Sequence, residues 1–216
     1  MNASHSTAAQ LLRRAGVIPV VTIRDVSHAL PIARAMVEGG LTAIEITLRS
    51  DVALAAIGAI RRDVPELCVG AGTVLDARQM KAAQDAGAQF IVTPGTPAAL
   101  IDTLVQAQVP VVPGAATVSE ILALAARGYD AVKLFPAEPL GGVAMLKALQ
   151  GPLPAIGVCP TGGIQESQLA DYLAQPNVLC VGGSWLVREE WLAAGDFDAI
   201  RDAARRAADA VKTARG

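Results

Sequence analysis

Short apolar runs recur along the chain about 23 residues apart, and between them the apolar positions shift to a helical period. The runs begin near Val17, Ala43, Leu67, Gln89, Val109, Asp130, Ile156 and Val178, and each is predicted to be a strand. Ala-rich stretches between them predict helices over roughly 27–39, 51–62, 77–87, 97–107, 118–127, 142–150 and 166–174. Ser27, Asp51, Asp76 and Ser119 stand where helix-opening side chains are expected, and Gly39, Gly87 and Gly128 where helices stop. Two further helices frame the set. One, over 6–15, is placed to plug the bottom of a barrel behind a flexible leader at 1–5; the other is capped by Asp196 and carries Phe197, Ile200, Ala204 and Val211 near one face.

Eight regular strand–helix units without a switch point predict an α/β fold, a single-domain (β/α)8 TIM barrel, rather than an open doubly wound sheet. A chain of 216 residues can bury one substantial core but is short for two enzymatic domains and a linker. Apolar residues make up 52% and aromatics 3%, so the core is expected to be aliphatic, as wound parallel strands favour. The net charge of -2, with no basic stripe, speaks against nucleic acid as a partner. No run is long and apolar enough to span a membrane, and MNASHSTAAQLLRR lacks the pattern of a secretory leader, so a cytoplasmic protein is expected. Cys68, Cys159 and Cys180 lie in apolar runs without CxxC spacing, which predicts reduced core thiols rather than disulfides or a zinc site.

In such a barrel the site forms where strands end, so ionisable residues within strands stand out. Glu45 in AIEIT and Lys133 in AVKLFP alternate with Ile44, Ile46, Val132 and Leu134, so both charges are predicted to face inward. A structural ion pair is one reading of them. The other is chemical: burial disfavours an ammonium, and a neutral amine is the nucleophile that condenses with a ketone while a nearby carboxylate shuttles protons. Lys81, Lys147 and Lys212 all fall on predicted helices, leaving Lys133 as the Schiff-base candidate. His5 lies in the leader and His28 at the first helix, both expected on the solvated or bottom side, so neither a histidine base nor a histidine metal site is expected. PTGGI (160–164) and VGGSW (181–185) follow strands seven and eight, where barrels bind phosphate through backbone N–H groups. There Ser184 adds a hydroxyl and can cap the following helix. Arg49 shares the alternation of Glu45 and is either a surface charge or a clamp for a substrate carboxylate. Thr73 is expected at the rim, Thr161 as a further donor, and Gly70 and Gly72 as room for a ligand.

The motifs EITLR (45–49), VGAGTVL (69–75), TPG (93–95), PVVPG (110–114), KLFPAE (133–138), CPTGGI (159–164) and CVGGSW (180–185), in that order, closely resemble the 2-dehydro-3-deoxy-6-phosphogluconate (KDPG) and 4-hydroxy-2-oxoglutarate (KHG) aldolase family. The resemblance spans about 11–205. It implies a class I mechanism in which Lys133 forms an imine with the substrate, Glu45 assists proton transfers, and no metal or other cofactor takes part. It further implies Arg49, Thr73 and Thr161 near the pyruvyl carboxylate and Pro94 and Phe135 against the substrate. Gly162, Gly163, Gly183 and Ser184 would surround the phosphate. Members of the family are homotrimers, which the resemblance extends to this chain. Three alternatives stay open at this point: an aldolase for the galactonate epimer, a sugar-phosphate isomerase or epimerase with Glu45 as base, and a non-catalytic sensor of phosphorylated sugar acids.

Overall fold

Branched side chains fit the pleated surface of a strand, and the Val- and Ile-rich runs pair as the periodicity predicts. The computed structural model describes residues 3–216, with side chains from residue 8 onward. Its strands, all parallel, are β1 (Val17–Val21), β2 (Ala43–Thr47), β3 (Cys68–Gly72), β4 (Ile91–Val92), β5 (Val111–Val112 and Gly114–Ala115), β6 (Ala131–Leu134), β7 (Gly157–Pro160) and β8 (Val181–Gly183). β8 lies beside β1, β1 to β5 follow in sequence, and the second half of β5 continues through β6 to β7. The bridges Val158↔Val178 and Thr161↔Gly182 join β7 to the β8 segment and complete the ring.

β1 and β2 begin where expected; the others begin one to three residues later, and some of the residues skipped still bond the neighbouring strand, as Gln89 N does Val69 O at 2.7 Å. Pro113 has no N–H for the ladder and divides β5, although its carbonyl still accepts from Lys133 N at 2.9 Å.

Ten helices are described: α1 (Ala3–Ala15), α2 (Ala29–Glu38), α3 (Ala53–Asp63), α4 (Ala77–Asp85), α5 (Ala98–Leu104), α6 (Val118–Ala125), α7 (Gly142–Gln150), α8 (Leu169–Leu173), α9 (Glu189–Ala194) and α10 (Phe197–Arg215). Residues 1–2 lie outside the described residues, and α1 begins ahead of the expected start. The short α9 was not anticipated, because EEWLAA is too brief to show a period.

Asp76 and Asp196 cap α4 and α10 as expected, accepting from Gln79 N and Ala199 N. Three other expected caps are corrected. Asp25, not Ser27, caps the turn Val26–His28 ahead of α2; Val52 rather than Asp51 opens α3; and Thr117, not Ser119, opens α6 in a capping box with Glu120. The N–H groups of Ala116 and Thr117 bond the Glu120 carboxylate and hold its pKa below the ordinary value.

The bottom of the barrel is closed by α1. Its Ala8, Leu12 and Ala15 pack against inward residues of the strands, among them Ile18, Ala43, Phe90, Val112, Ala131 and Cys159. Around the outside, α10 buries Ile200, Ala203, Ala204, Ala207 and Ala208. The three cysteines are free, with Cys159 and Cys180 buried and Cys68 half-buried. No helix among the described residues is long and apolar enough to cross a membrane.

Removing the largest plug side chain is expected to open a cavity. Leu12→Ala should destabilise the fold by about 2–5 kcal/mol in urea titration. A change below about 1 kcal/mol would show that α1 does not seal the barrel.

Candidate active site

Parallel strands alternate their side chains, so the even places of β2 and β6 would face the helices and the odd places the interior. Glu45 and Lys133 both face inward, 3% and 4% exposed, and Lys133 Nζ donates to Glu45 Oε1 at 3.3 Å. Gly72 makes room for that carboxylate: a Cβ there would collide with Glu45 Oε1. The Lys133 ammonium also lies 5.4 Å from the centroid of the Phe135 ring.

Beside the pair opens a cavity of about 170 Å³, lined by Val20, Arg49, Phe135, Thr161, Gly162, Gly163, Ile164, Gly182 and Ser184. Val20 is the register partner of Glu45, which sets the carboxylate level with this cavity. Arg49 Nε donates to Thr73 Oγ1 at 3.1 Å, and Thr73 adopts a left-handed backbone with φ 58. Gly162 and Gly163 follow β7 with φ 103 and 83, a conformation glycine takes without steric cost. Among the described residues no three His, Cys, Asp or Glu side chains converge as metal ligands.

Most of the expected site residues therefore converge, with three adjustments. Five of the expected residues fall outside the cavity lining: Lys133 lies beside its Phe135 and Glu45 is the register partner of its Val20, Thr73 bonds its Arg49, while Pro94 backs onto Gly114 and Gly183 lies under the Trp185 ring. The second Gly-Gly pair belongs to β8 itself, so the turn there begins at Ser184. Ser184 caps no helix, since Arg188 opens α9. Val20, Ile164 and Gly182 were missed, although Val20 shares the inward parity of Ile18. Of the two placements expected for His28, the bottom one is corrected: the β1–α2 loop emerges at the C-terminal ends of the strands, where His28 stands partly exposed with its ring 6.0 Å from that of Phe197.

The family model for KDPG and KHG aldolases matches residues 8–203. The chain belongs to this aldolase family. It is 44% identical over 207 residues to the KHG/KDPG aldolase of Escherichia coli, covering 96% of this chain and 97% of that one. Among solved structures, the KDPG aldolase of Legionella pneumophila, with pyruvate captured at low pH as a covalent carbinolamine intermediate, superposes with a TM-score of 0.89 at 38% identity, covering 92% of this chain and 96% of that one. The 2-keto-3-deoxy-6-phosphogluconate aldolase of Zymomonas mobilis with 3-phosphoglycerate gives a TM-score of 0.88 at 40% identity, covering 94% and 96%. Aldolases are lyases, and among the described residues the one buried amine–carboxylate contact of this aldolase barrel stands next to Phe135 and Val20, which line the cavity.

The space at Gly72 carries its own consequence for this aldolase. Gly72→Ala would displace the Glu45 carboxylate by about an ångström, and kcat for pyruvate release should fall by roughly 10². Wild-type turnover in the variant would show that the carboxylate can shift without harm.

Proposed function

We propose that this chain is a class I aldolase that cleaves 2-dehydro-3-deoxy-6-phosphogluconate to pyruvate and D-glyceraldehyde 3-phosphate through a Schiff base on Lys133. It would also cleave 4-hydroxy-2-oxoglutarate to pyruvate and glyoxylate. The observation that carries this reading is the buried Lys133–Glu45 contact of 3.3 Å at the side of a cavity bordered by a glycine turn.

In this reading Lys133 gives a proton to the adjacent Glu45 carboxylate, and the amine so freed attacks the C2 ketone to give a carbinolamine, which loses water to an imine. The imine withdraws electrons as the C4 hydroxyl loses its proton, and the C3–C4 bond breaks to release the aldehyde. The enamine left on Lys133 takes a proton at C3, and water hydrolyses the resulting imine to pyruvate and free amine. Glu45 is the group placed to relay these protons. Arg49, held by Thr73, and the Thr161 hydroxyl would face the substrate carboxylate. Gly162, Gly163 and Ser184 would hold the phosphate through N–H and O–H donors, with Gly183 behind them and Phe135 and Pro94 along the substrate. The captured carbinolamine of the Legionella relative and the 3-phosphoglycerate in the Zymomonas relative support the two ends of this assignment. No metal or other cofactor enters, because the imine itself is the electron sink. The same reading includes a cytoplasmic homotrimer; the exposed Leu75 and Leu122 offer apolar surface for association.

Pyruvate with borohydride should reduce the imine and label Lys133 in a peptide map, and Lys133→Ala should abolish labelling and cleavage with an unchanged circular dichroism spectrum. An unlabelled Lys133 would remove the mechanism and favour an isomerase or a sensor. Glu45→Gln preserves the shape of the carboxylate and should slow turnover by roughly 10² to 10⁴, with KM changing much less. Wild-type turnover in Glu45→Gln would move the proton relay to another group.

A further inference from the structure

Glu138 closes the KLFPAE motif, yet the mechanism uses only its lysine and phenylalanine. The carboxylate is not idle in the fold. Tyr172, 1% exposed on α8, donates its hydroxyl to Glu138 Oε1, and Gln168 Nε2 donates to Oε2 at 3.1 Å. Gln168 in turn accepts from Gln165 N at 2.8 Å, closing the turn that follows the glycines. The backbone adds two rungs between the same segments: Ala137 N donates to Thr161 O at 2.8 Å and Glu138 N to Gly162 O at 3.0 Å. Gly163 rests directly on this side chain, since a Cβ there would stand 2.8 Å from Glu138 Cβ.

Burial, and then the neighbouring carboxylate, push the pKa of the Tyr172 hydroxyl well above its ordinary value. It therefore remains a donor at neutral pH.

We infer that Glu138 and Tyr172 form a strut that positions the Gly162–Gly163 turn against the cavity and so sets the preference for a phosphorylated substrate over a short unphosphorylated one. The inference rests on the aldolase reading above. Glu138 is a positioning residue, because it acts through the turn and lines no part of the cavity. A turn of backbone donors gains affinity only if it is held in place, since donors free to wander must be ordered when the anion binds. The phosphate lies remote from the C3–C4 bond, so loosening the turn should weaken binding of the longer substrate while leaving the imine chemistry of the shorter one.

The test compares Tyr172→Phe, Glu138→Ala and Glu138→Gln with the wild-type chain on 2-dehydro-3-deoxy-6-phosphogluconate and on 4-hydroxy-2-oxoglutarate. Tyr172→Phe removes one hydroxyl and keeps the buried ring, so the fold should survive. Tyr172→Phe and Glu138→Ala should each raise KM for the phosphorylated substrate by about tenfold, the scale of one lost hydrogen bond to a charged group. In both variants, kcat, the borohydride labelling of Lys133 and kcat/KM for the unphosphorylated substrate should stay within about threefold. Glu138→Gln keeps an acceptor for Tyr172 and should fall between wild type and Glu138→Ala. Equal losses on both substrates, or an unchanged KM for the phosphorylated one in Tyr172→Phe and Glu138→Ala alike, would overturn the strut as a specificity device. Failure of the wild-type chain to cleave the phosphorylated substrate would instead overturn the aldolase reading, and the inference with it.

Discussion

An ammonium and a carboxylate lose most of their hydration inside an aliphatic barrel, at a cost of several kcal/mol per ion that their attraction only partly offsets. The Lys133–Glu45 contact accepts that cost, and its surroundings are arranged around it. At 3.3 Å the contact is longer than the roughly 2.8 Å of a tight charged hydrogen bond, so the two groups are near neighbours without being locked together. Three buried threonines of the barrel are already partnered. Thr47 bonds Thr22 at 2.7 Å, while Thr93 accepts from Gly114 N and Thr96 donates to Gly114 O, both at 2.8 Å. Because Gly114 is the register partner of Lys133, that network braces the strand beside the amine. The polar capacity left to meet a substrate is concentrated in the amine, the carboxylate and the donors of the neighbouring cavity.

The interior was legible in the sequence because its geometry is one-dimensional. A period of two assigns every strand residue to one side or the other, and Glu45 and Lys133 could be brought together across 88 positions from parity alone. The same parity would have found Val20 and Gly182, whose small or apolar side chains carry no chemical signal of their own. Strand starts drifted by a few residues for a related reason: a lead-in such as the half-buried Gln89 and buried Phe90 reads like the strand it precedes.

The misplaced caps had a different origin. Thr117 stands three residues before Glu120, which is the capping-box spacing, and Ser119 was the nearer hydroxyl to the apolar run without having that spacing. Distance to a partner decided the outcome, where residue type alone had suggested another. Asp51 shows the converse, an acidic residue in the right place whose side chain bonds no helix N–H because the chain enters α3 through Val52.

The rim resists such reading because its contacts join loops whose paths no period describes. Arg49 meets Thr73 across 24 positions, linking the loops after β2 and β3, and Glu138 meets Tyr172 across 34, linking the loop after β6 to helix α8. These contacts are possible only after the barrel has set the strand ends side by side, so they depend on the interior while contributing nothing to its pattern. Their chemistry nonetheless follows from it. β6 delivers the amine at Lys133 and then, five residues on, the chain supplies the carboxylate that props the turn of β7, so one short segment holds both the buried amine and the glycine turn in place. A displacement of that segment would shift the amine and the turn together, so under the proposed function the spacing within KLFPAE would bear on the length of substrate the barrel accepts.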